Sequence, residues 1–382
     1  MKQPSRRATF RFLKAYFTAV SILFSYWWFF FKSRFYGDRY IEENISRVHR
    51  TSARKIHKSI LQLQGLFIKV GQLFSIMTNF LPAAFREELE NLQDAVPARP
   101  FEQIRQQIKK ELGKFPEEIF KSFETTPLAS ASLGQVHIAI TEGDKKVAVK
   151  VRHLDIEETA RADLRTIWRI LQLVKRFVDV RGLDNYYYEI EAMIKEELDF
   201  EKEAAYIDKI SGNFADSDLV IFPTVFKEYS TGQVLTLGFL DGIKISDTDR
   251  LKDAGLDLSV IASNLITVYC QMIFIDGIYH ADPHPGNVMV QNDGKIILID
   301  FGAVGMLDQG TRSGLGSLLE SIIKGDEEDS NETSGIIDIS KDNSGFSITK
   351  SNILYLIEKR LDKYDVKMIS DVIKELKEII DE

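Results

Sequence analysis

Residues 280–302 read HADPHPGNVMVQNDGKIILIDFG, and this segment carries the strongest signals of fold and function in the chain. Two short apolar runs in it flank Asn292-Asp293-Gly294, and a turn ending in Asp-Gly between apolar runs is a strong β-hairpin signal. The predicted hairpin gathers three polar residues, because Asp282 and Asn287 precede it and Asp300 follows it. Two prolines and a glycine restrict the loop before the hairpin, as suits a preorganised site.

The polar residues have the form H-x-D-x-x-x-x-N followed by D-F-G, which is typical of kinase-type phosphoryl transfer. In that chemistry Asp282 orients or deprotonates the attacking hydroxyl, while Asn287 and Asp300 hold magnesium against the nucleotide phosphates. Oxygen ligands are required because Mg²⁺ prefers oxygen in octahedral geometry. The alternative is a buried hairpin with ordinary polar turn residues, but two spaced half-motifs around one hairpin argue against it.

Composition limits the class of protein. The 382 residues suffice for two or three lobes, and the net charge of −8 argues against nucleic acid as a partner. Cys270 is the single cysteine, so the chain has no internal disulfide, cysteine-rich zinc site or dithiol redox centre, and a reducing compartment is expected.

The N-terminus is basic and aromatic. Residues 15–31 contain no charged side chain and many Phe, Tyr and Trp, and basic residues stand on both sides. This length is at the short limit for crossing a bilayer. Residues 1–36 are therefore predicted to associate with the cytoplasmic face of a membrane, peripherally or as a single anchor, or else to form a helix that packs on the domain.

A helical pattern over residues 57–80 includes Lys69-Val70-Gly71-Gln72. Lys69 and Gln72 share a helix face, and Gly71 suggests the close approach of another backbone. Taken alone, this pattern also fits an amphipathic helix with a polar rim.

Two strands are predicted over residues 134–141 and 146–152, and the second ends near Lys150. A strand lysine that follows a loop of small residues is typical of a kinase site, where it reaches the α- and β-phosphates. The loop carries the predicted nucleotide-binding residues Ala129, Ser130, Ala131 and Ser132, whose small side chains would let backbone N–H groups approach phosphate.

A kinase pairs its strand lysine with a helix glutamate about 20 residues later. No carboxylate stands near Arg169, so the glutamate is expected after an inserted helix. Within a predicted helix over residues 185–207, Glu197 is assigned this role, and Glu203 is a second structural carboxylate. A further strand pair is predicted over residues 222–228 and 233–240, and the sequence from Phe239 to Gly242 is interpreted as a hinge between lobes.

These motifs together resemble the UbiB/AarF/ADCK family of atypical kinases, which support ubiquinone and related isoprenoid-lipid metabolism. The resemblance covers about residues 40–325 and implies an α+β, two-lobed protein-kinase-like fold with an added helical N-terminal region. It divides the chain into residues 1–36, a helical extension 37–115, an N-lobe 116–238 and a C-lobe 239–382.

The resemblance also implies roles for single residues. Lys150 would contact nucleotide phosphates, and Glu197 would pair with Lys69 or Lys150. A regulatory or structural motif would comprise Gly71, Gln72 and Asp199. The implied cofactors are ATP and Mg²⁺, and the implied partners are an adenine nucleotide, a membrane or quinone-type lipid and a second copy of the chain, with no nucleic acid.

Two departures from the family pattern stand out: Ser130 replaces a common alanine, and the stretch 325–347 is acidic. A soluble small-molecule kinase of the aminoglycoside/choline type remains an alternative, because such enzymes share the loop motif. A nucleotide-binding scaffold without catalysis is a third hypothesis, although the four residues Lys150, Asp282, Asn287 and Asp300 argue against it.

Overall fold

The computed structural model describes residues 6–76, 82–90, 92, 98–131, 133–177 and 183–315. The chain divides into two compact units, Met1–Ile194 and Lys195–Glu382. Ser132 and the acidic stretch 325–347 lie outside the described residues.

Helices dominate the first unit. They are α1 Arg6–Tyr36, α2 Asp38–Leu63, α3 Leu66–Ile76, α4 Ala83–Glu90, α5 Phe101–Leu112, α6 Pro116–Ile119, α7 Ile156–Val174 and α8 Leu183–Glu197, which crosses into the second unit. The single helix predicted over 57–80 is wrong, because the chain breaks between α2 and α3. Gln64 and Gly65 take left-handed φ values of 54° and 57° there, which end the helical hydrogen bonding.

Helix α1 has a buried side and an exposed side. Its inner side packs on α2 and α7 and buries Ala15 and Phe29. Its outer side, called here the aromatic face, exposes Leu13, Tyr16, Phe17, Val20, Phe24, Trp27, Trp28, Phe30, Phe31, Phe35 and Tyr36. The side chain of Phe17 is 76% exposed and that of Trp27 is 53% exposed, so this face is an apolar surface without a partner in the described chain.

The first unit also contains the strands β1 Phe120–Phe123, β2 Ala129–Ser130, β3 Gly134–Thr141 and β4 Lys146–Arg152. Both long strands have the predicted bounds and pair antiparallel, so this prediction is confirmed. Gly134 is required at the start of β3, because a Cβ there would lie 2.6 Å from the carbonyl oxygen of Val151.

The second unit contains the helices α9 Phe200–Asn213, α10 Thr248–Asp253 and α11 Leu258–Cys270, and the strands β5 Val220–Ile221, β6 Val234–Gly238, β7 Ile243–Lys244, β8 Ile278–His280, β9 Val288–Val290, β10 Ile296–Leu298 and β11 Val304–Met306. One sheet has the order β5-β10-β9-β7, and β8 pairs with β11. The predicted hairpin is confirmed as β9 and β10, with Ile296 opposite Val290.

Two predictions in the second unit differ from the structure. The helix expected over 185–207 is divided into α8 and α9, because Asp199 caps α9 by accepting a hydrogen bond from the Lys202 backbone N–H at 3.2 Å. A strand expected over 222–228 is reduced to a bridge between Val225 and Leu237 and a 3-10 turn, Lys227–Tyr229.

Helix α11 continues as one π-helical turn, Gln271–Asp276, and leads into β8. The combined segment Leu258–Asp276 is the one described helix that is long and apolar enough to cross a membrane by length and composition. Its Ile261, Val268 and Met272 belong to the hydrophobic core of the second unit.

Candidate functional site

The loop between β8 and β9 brings Asp282 and Asn287 together. The Asn287 side-chain amide donates to Asp282 Oδ2 at 3.0 Å and to the Asp282 carbonyl at 3.2 Å. Because the carboxylate accepts from the amide nitrogen, the amide oxygen of Asn287 remains as the cation-binding atom. Asp282 and Asn287, which the sequence predicts to lie near one another, are therefore in direct contact in the folded loop.

His284 fixes the middle of this loop. Its Nδ1 accepts a hydrogen bond from the Gly286 backbone N–H at 3.0 Å, and it caps the 3-10 turn Pro285–Asn287. The histidine therefore has a local structural role.

Asp300 has a strained backbone with φ of 61°. His280 Nε2 lies 3.1 Å from the carbonyl oxygen of Ile299 and 3.0 Å from that of Asp300. Since carbonyl oxygens only accept, Nε2 carries the proton and donates to both. His280 is 1% exposed and packs edge-on against Phe301 at 4.9 Å. A buried imidazole thus holds the backbone that presents the exposed Asp300 carboxylate.

Tyr269 of α11 was not identified from the sequence. Its hydroxyl lies 3.5 Å from His280 Nδ1, so both ring nitrogens of His280 lie within hydrogen-bond distance of a partner. Burial raises the pKa of Tyr269 far above its ordinary value, and the nearby Asp282 carboxylate adds to this effect. The helix and the loop are about a dozen residues apart, and no motif links Tyr269 to the site.

Glu197 lies beside the D-F-G segment. A Cβ on Gly302 would lie 3.2 Å from Asp300 Oδ1 and 3.7 Å from Glu197 Cγ, so glycine leaves room for both carboxylates. Glu203 is buried at 2% exposure, as suits the structural role predicted for it. Four of the predicted site residues therefore lie in the second unit, namely Glu197, Asp282, Asn287 and Asp300. Lys69 and Lys150 lie in the first unit.

In the first unit, sheet register links the small-residue loop to Lys150. Ala129 lies opposite Val136, and Val136 lies opposite Lys150, so the three side chains share one face of the sheet. Ser130 lies opposite Gln135, and its side chain is on the other face. The Ser130 hydroxyl oxygen is buried and has no hydrogen-bond partner. Any nucleotide contact of Ser130 therefore requires its backbone.

Hydrogen bonds from neighbouring residues hold the backbone of the small-residue loop. The Ala131 N–H donates to the Gly134 carbonyl at 2.9 Å, and the His153 N–H donates to the Leu133 carbonyl at 2.9 Å. His153 Nε2 donates to the Ala131 carbonyl at 3.2 Å. Burial, with a further contribution from the positive charge of Arg99, lowers the pKa of His153 to about 4. The imidazole is therefore neutral at pH 7.

This pKa predicts a pH dependence of folding. Between pH 6.5 and about 4 the unfolded chain binds the His153 proton and the folded chain does not, so the free energy of unfolding falls as pH falls. The contribution of His153 is at most about 3 kcal/mol. Urea unfolding of the first unit, followed by tryptophan fluorescence from pH 7.5 to 4.5, measures it.

The matched variant is His153→Gln, whose amide can still donate to Ala131 and does not titrate. The variant should lose less stability over this range than the wild type. Parallel pH profiles for the two proteins would contradict the assignment.

Helix α3 carries Lys69, which is half-buried, followed by Gly71 and Gln72. A Cβ on Gly71 would collide with the Leu92 side chain and lie 2.9 Å from Ile60 Cδ1. The expected backbone approach at Gly71 is wrong, because apolar side chains of the neighbouring segments fill that space. Glycine is needed here for the packing of α3 on α2.

The two predicted metal ligands of the second unit carry oxygen donors of the kind that a hard cation prefers. Asn287 offers an amide oxygen and Asp300 a carboxylate, both of which suit Mg²⁺. Among the residues that the structure describes, no group of three or more His, Cys, Asp and Glu side chains could hold a metal by itself. Phosphate oxygens and water would complete the coordination.

Comparison with known proteins adds independent evidence. A family model described as the ABC1 atypical kinase-like domain matches residues 91–334. The uncharacterized protein sll1770 of Synechocystis sp. is 33% identical over 94% of this chain and 62% of its own length. Protein ACTIVITY OF BC1 COMPLEX KINASE 7, chloroplastic, of Arabidopsis thaliana is 36% identical, over 76% of this chain and 42% of its own. AarF domain-containing protein kinase 1 of Xenopus laevis is 32% identical, over 85% and 63%.

The chain thus spans between 42% and 63% of the length of these relatives. A solved structure of Rv3197 from Mycobacterium tuberculosis, in complex with erythromycin, is 26% identical, with a TM-score of 0.53 over 87% of this chain and 85% of that one. The prediction of a kinase-like α+β fold with a helical N-terminal region is confirmed. By its family match, its relatives and the arrangement of its loop residues, the chain belongs to the ABC1/AarF family of atypical kinase-like proteins.

Proposed function

We propose that the chain is a Mg²⁺-dependent ATPase or a kinase that phosphorylates a small or lipid molecule. The observation that supports this most is the loop in which Asn287 donates to Asp282 while His280 holds the backbone of Asp300. A structural hairpin has no need for a buried histidine that stabilises a left-handed aspartate. Such strain is typical of functional sites.

In the proposed reaction Asp282 orients the attacking water or hydroxyl and accepts its proton. The hydrogen bond from Asn287 keeps one Asp282 oxygen fixed and leaves the other for the nucleophile. Asn287 and Asp300 would hold Mg²⁺, which neutralises phosphate charge when bound. Lys150 would contact the α- and β-phosphates, and the small-residue loop of Ala129, Ser130, Ala131 and Ser132 would lie against them. The Ala131 N–H is bonded to the Gly134 carbonyl, so the backbone N–H donors would come from the other residues of this loop. Glu197 would orient a lysine, either Lys69 or Lys150.

The pathway proposal rests on the family. We place the activity in ubiquinone or related isoprenoid-lipid metabolism at a membrane, with an adenine nucleotide and a quinone-type lipid as partners. Membership of the ABC1/AarF family and the aromatic face of α1 support this proposal.

The test is ATP turnover by the purified full chain with Mg²⁺, with and without anionic vesicles. Turnover that needs Mg²⁺ and rises with vesicles would support the proposal. Absence of both turnover and Mg²⁺-dependent nucleotide binding would overturn it.

A second candidate is a small-molecule kinase of the aminoglycoside/choline type. It is favoured by one observation, the similarity to Rv3197, whose solved complex contains erythromycin. ATP turnover stimulated by a macrolide or an amino alcohol, and not by vesicles, would favour this candidate.

We further propose that α1 lies in the plane of the membrane and does not cross it. Hydrogen bonds join the inner side of α1 to α2. Thr18 Oγ1 donates to Ser59 Oγ at 3.1 Å, and the Tyr26 hydroxyl lies 2.6 Å from His49 Nδ1. A helix surrounded by lipid would be apolar on all sides. The aromatic face, with the Lys32 ammonium 5.3 Å from the Trp28 ring, instead suits the headgroup level of an anionic bilayer.

The chain has three tryptophans, so Trp168→Phe leaves only Trp27 and Trp28 as fluorescent reporters on the aromatic face. Lipids brominated near the headgroup should quench them more than lipids brominated near the chain ends. Stronger quenching from the chain ends would contradict the in-plane arrangement.

The double variant Trp27→Ser/Phe31→Ser should weaken binding to anionic vesicles by about tenfold or more, because two exposed aromatic side chains that would enter the bilayer are lost. The matched control is Leu128→Ser, which removes a 59% exposed apolar side chain outside α1. Equal loss of vesicle binding in the two proteins would contradict a specific role for the aromatic face.

A further inference from the structure

Arg11 joins α1 to the helix that carries Lys69. The side chain is 20% exposed, and its guanidinium reaches Asp163 of α7, which is 4% exposed. Arg11 Nε donates to Asp163 Oδ1 at 3.1 Å, and Nη2 donates to Asp163 Oδ2. The paired geometry is the bidentate one in which arginine binds a carboxylate most specifically.

The same guanidinium also reaches the turn between α2 and α3. Nη1 donates to the Leu63 carbonyl, Nη2 lies 3.4 Å from the Gln64 carbonyl, and the guanidinium carbon lies 5.6 Å from the centre of the Phe67 ring. The last carbonyls of a helix lack intrahelical donors and attract cations. Arg11 therefore satisfies the end of α2 and contacts the first turn of α3 at the same time.

This turn determines where α3 points. Gln64 and Gly65 are consecutive left-handed residues, and for Gln64 that conformation is unfavourable without support from its surroundings. Helix α3 starts directly afterwards, and Lys69 and Gly71 follow within two turns. A change in these two backbone residues would therefore rotate the segment that carries both.

We propose that Arg11 is a positioning residue for the segment Lys69 to Gln72. By bonding to the Leu63 and Gln64 carbonyls, Arg11 sets the angle at which α3 leaves α2. Because Arg11 lies on α1, it also links the position of α3 to that of α1, whose opposite side carries the aromatic face. The functional consequence rests on the proposed function, since Lys69 acts in catalysis only if that proposal holds.

A purely structural ion pair is the competing explanation, and two variants separate the two explanations. Arg11→Met alone would leave the buried Asp163 carboxylate without its cation, so misfolding would obscure the result. The double variant Arg11→Met/Asp163→Leu replaces the ion pair by apolar side chains and leaves no unpaired charge in the interior. Asp163→Asn keeps Arg11 and its bonds to Leu63 and Gln64.

The first measurement is hydrogen exchange of peptides from the full-length protein, which needs no activity. In Arg11→Met/Asp163→Leu, residues 64–76 should exchange about tenfold faster or more, while α7 and the centre of α2 keep wild-type protection. Asp163→Asn should retain wild-type exchange in residues 64–76. Equal acceleration throughout α1, α2 and α7, or wild-type exchange in the double variant, would overturn the proposal.

The second measurement is the separation of kcat from KM for ATP. The double variant should lose about tenfold or more in kcat, because a displaced catalytic group costs rate, with a smaller change in KM. Asp163→Asn should retain wild-type kcat. Wild-type kcat in the double variant would overturn the catalytic part of the proposal. If the wild type itself has no turnover, the proposed function fails, and the exchange experiment still decides the positioning of α3.

Discussion

Asp300→Asn is expected to lower ATP turnover by about 10²–10³-fold, the usual cost of removing one charged group that acts on the transition state. Asparagine is nearly the same size, tolerates the left-handed φ of 61°, and can still accept the hydrogen bond from Gly302 N–H at 3.4 Å. The substitution therefore removes charge and leaves the fold. Steady-state turnover at saturating Mg²⁺ and ATP measures the effect.

The matched control is Asp293→Asn in the turn of the same hairpin. Asp293 is exposed and accepts a hydrogen bond from Lys295 N–H at 3.2 Å, which asparagine can also accept. We expect wild-type turnover from this variant. If Asp300→Asn kept more than a tenth of the wild-type rate, Asp300 would have no place in the reaction.

Phe301→Ala is expected to destabilise the second unit by about 3–5 kcal/mol, the usual cost of removing a fully buried aromatic ring. Phe301 is 0% exposed and lies 4.9 Å from the His280 ring and 5.9 Å from the Phe222 ring. The cavity would also remove the packing that holds His280 on the Asp300 carbonyl. Both stability and the position of the carboxylate should therefore be affected.

All three tryptophans are in the first unit, so hydrogen exchange of amides in β9 and β10 is the appropriate measurement for Phe301→Ala. The slowest of these amides should exchange at least about a hundredfold faster, since each 1.4 kcal/mol is a factor of ten. The control Phe301→Leu keeps most of the buried volume and should show a much smaller effect. Similar exchange rates in the alanine variant and the wild type would contradict the contribution of Phe301 to the stability of the second unit.

Local signals explain why some elements could be predicted from the sequence. The hairpin of β9 and β10 follows from alternating apolar residues and one Asp-Gly turn, and β3 and β4 have the predicted bounds for the same reason. The spacing of Asp282 and Asn287 lies within a single loop, so the hydrogen bond between them depends on little outside that loop. The family membership also follows from motifs that are local in sequence.

Helix breaks were predicted less well. The apolar period continues through Gln64 and through Leu198, but the helices end there, because a left-handed pair and an N-cap at Asp199 interrupt the hydrogen bonds. Apolar periodicity reports which side of a helix is buried and does not report backbone dihedral angles. Short breaks therefore remain hidden in the pattern.

The sequence by itself determined the hairpin, the long strand pair, the candidate residues around Asp282 and Asp300, and the aromatic composition of α1. Tertiary structure alone decided which side of α1 is buried, why Gly71 is glycine, and that Arg11 meets Asp163 at a separation of 152 residues. It also placed Tyr269 beside His280. The physical reason is that these features depend on side chains from distant segments packing together, and no local period or spacing encodes such contacts.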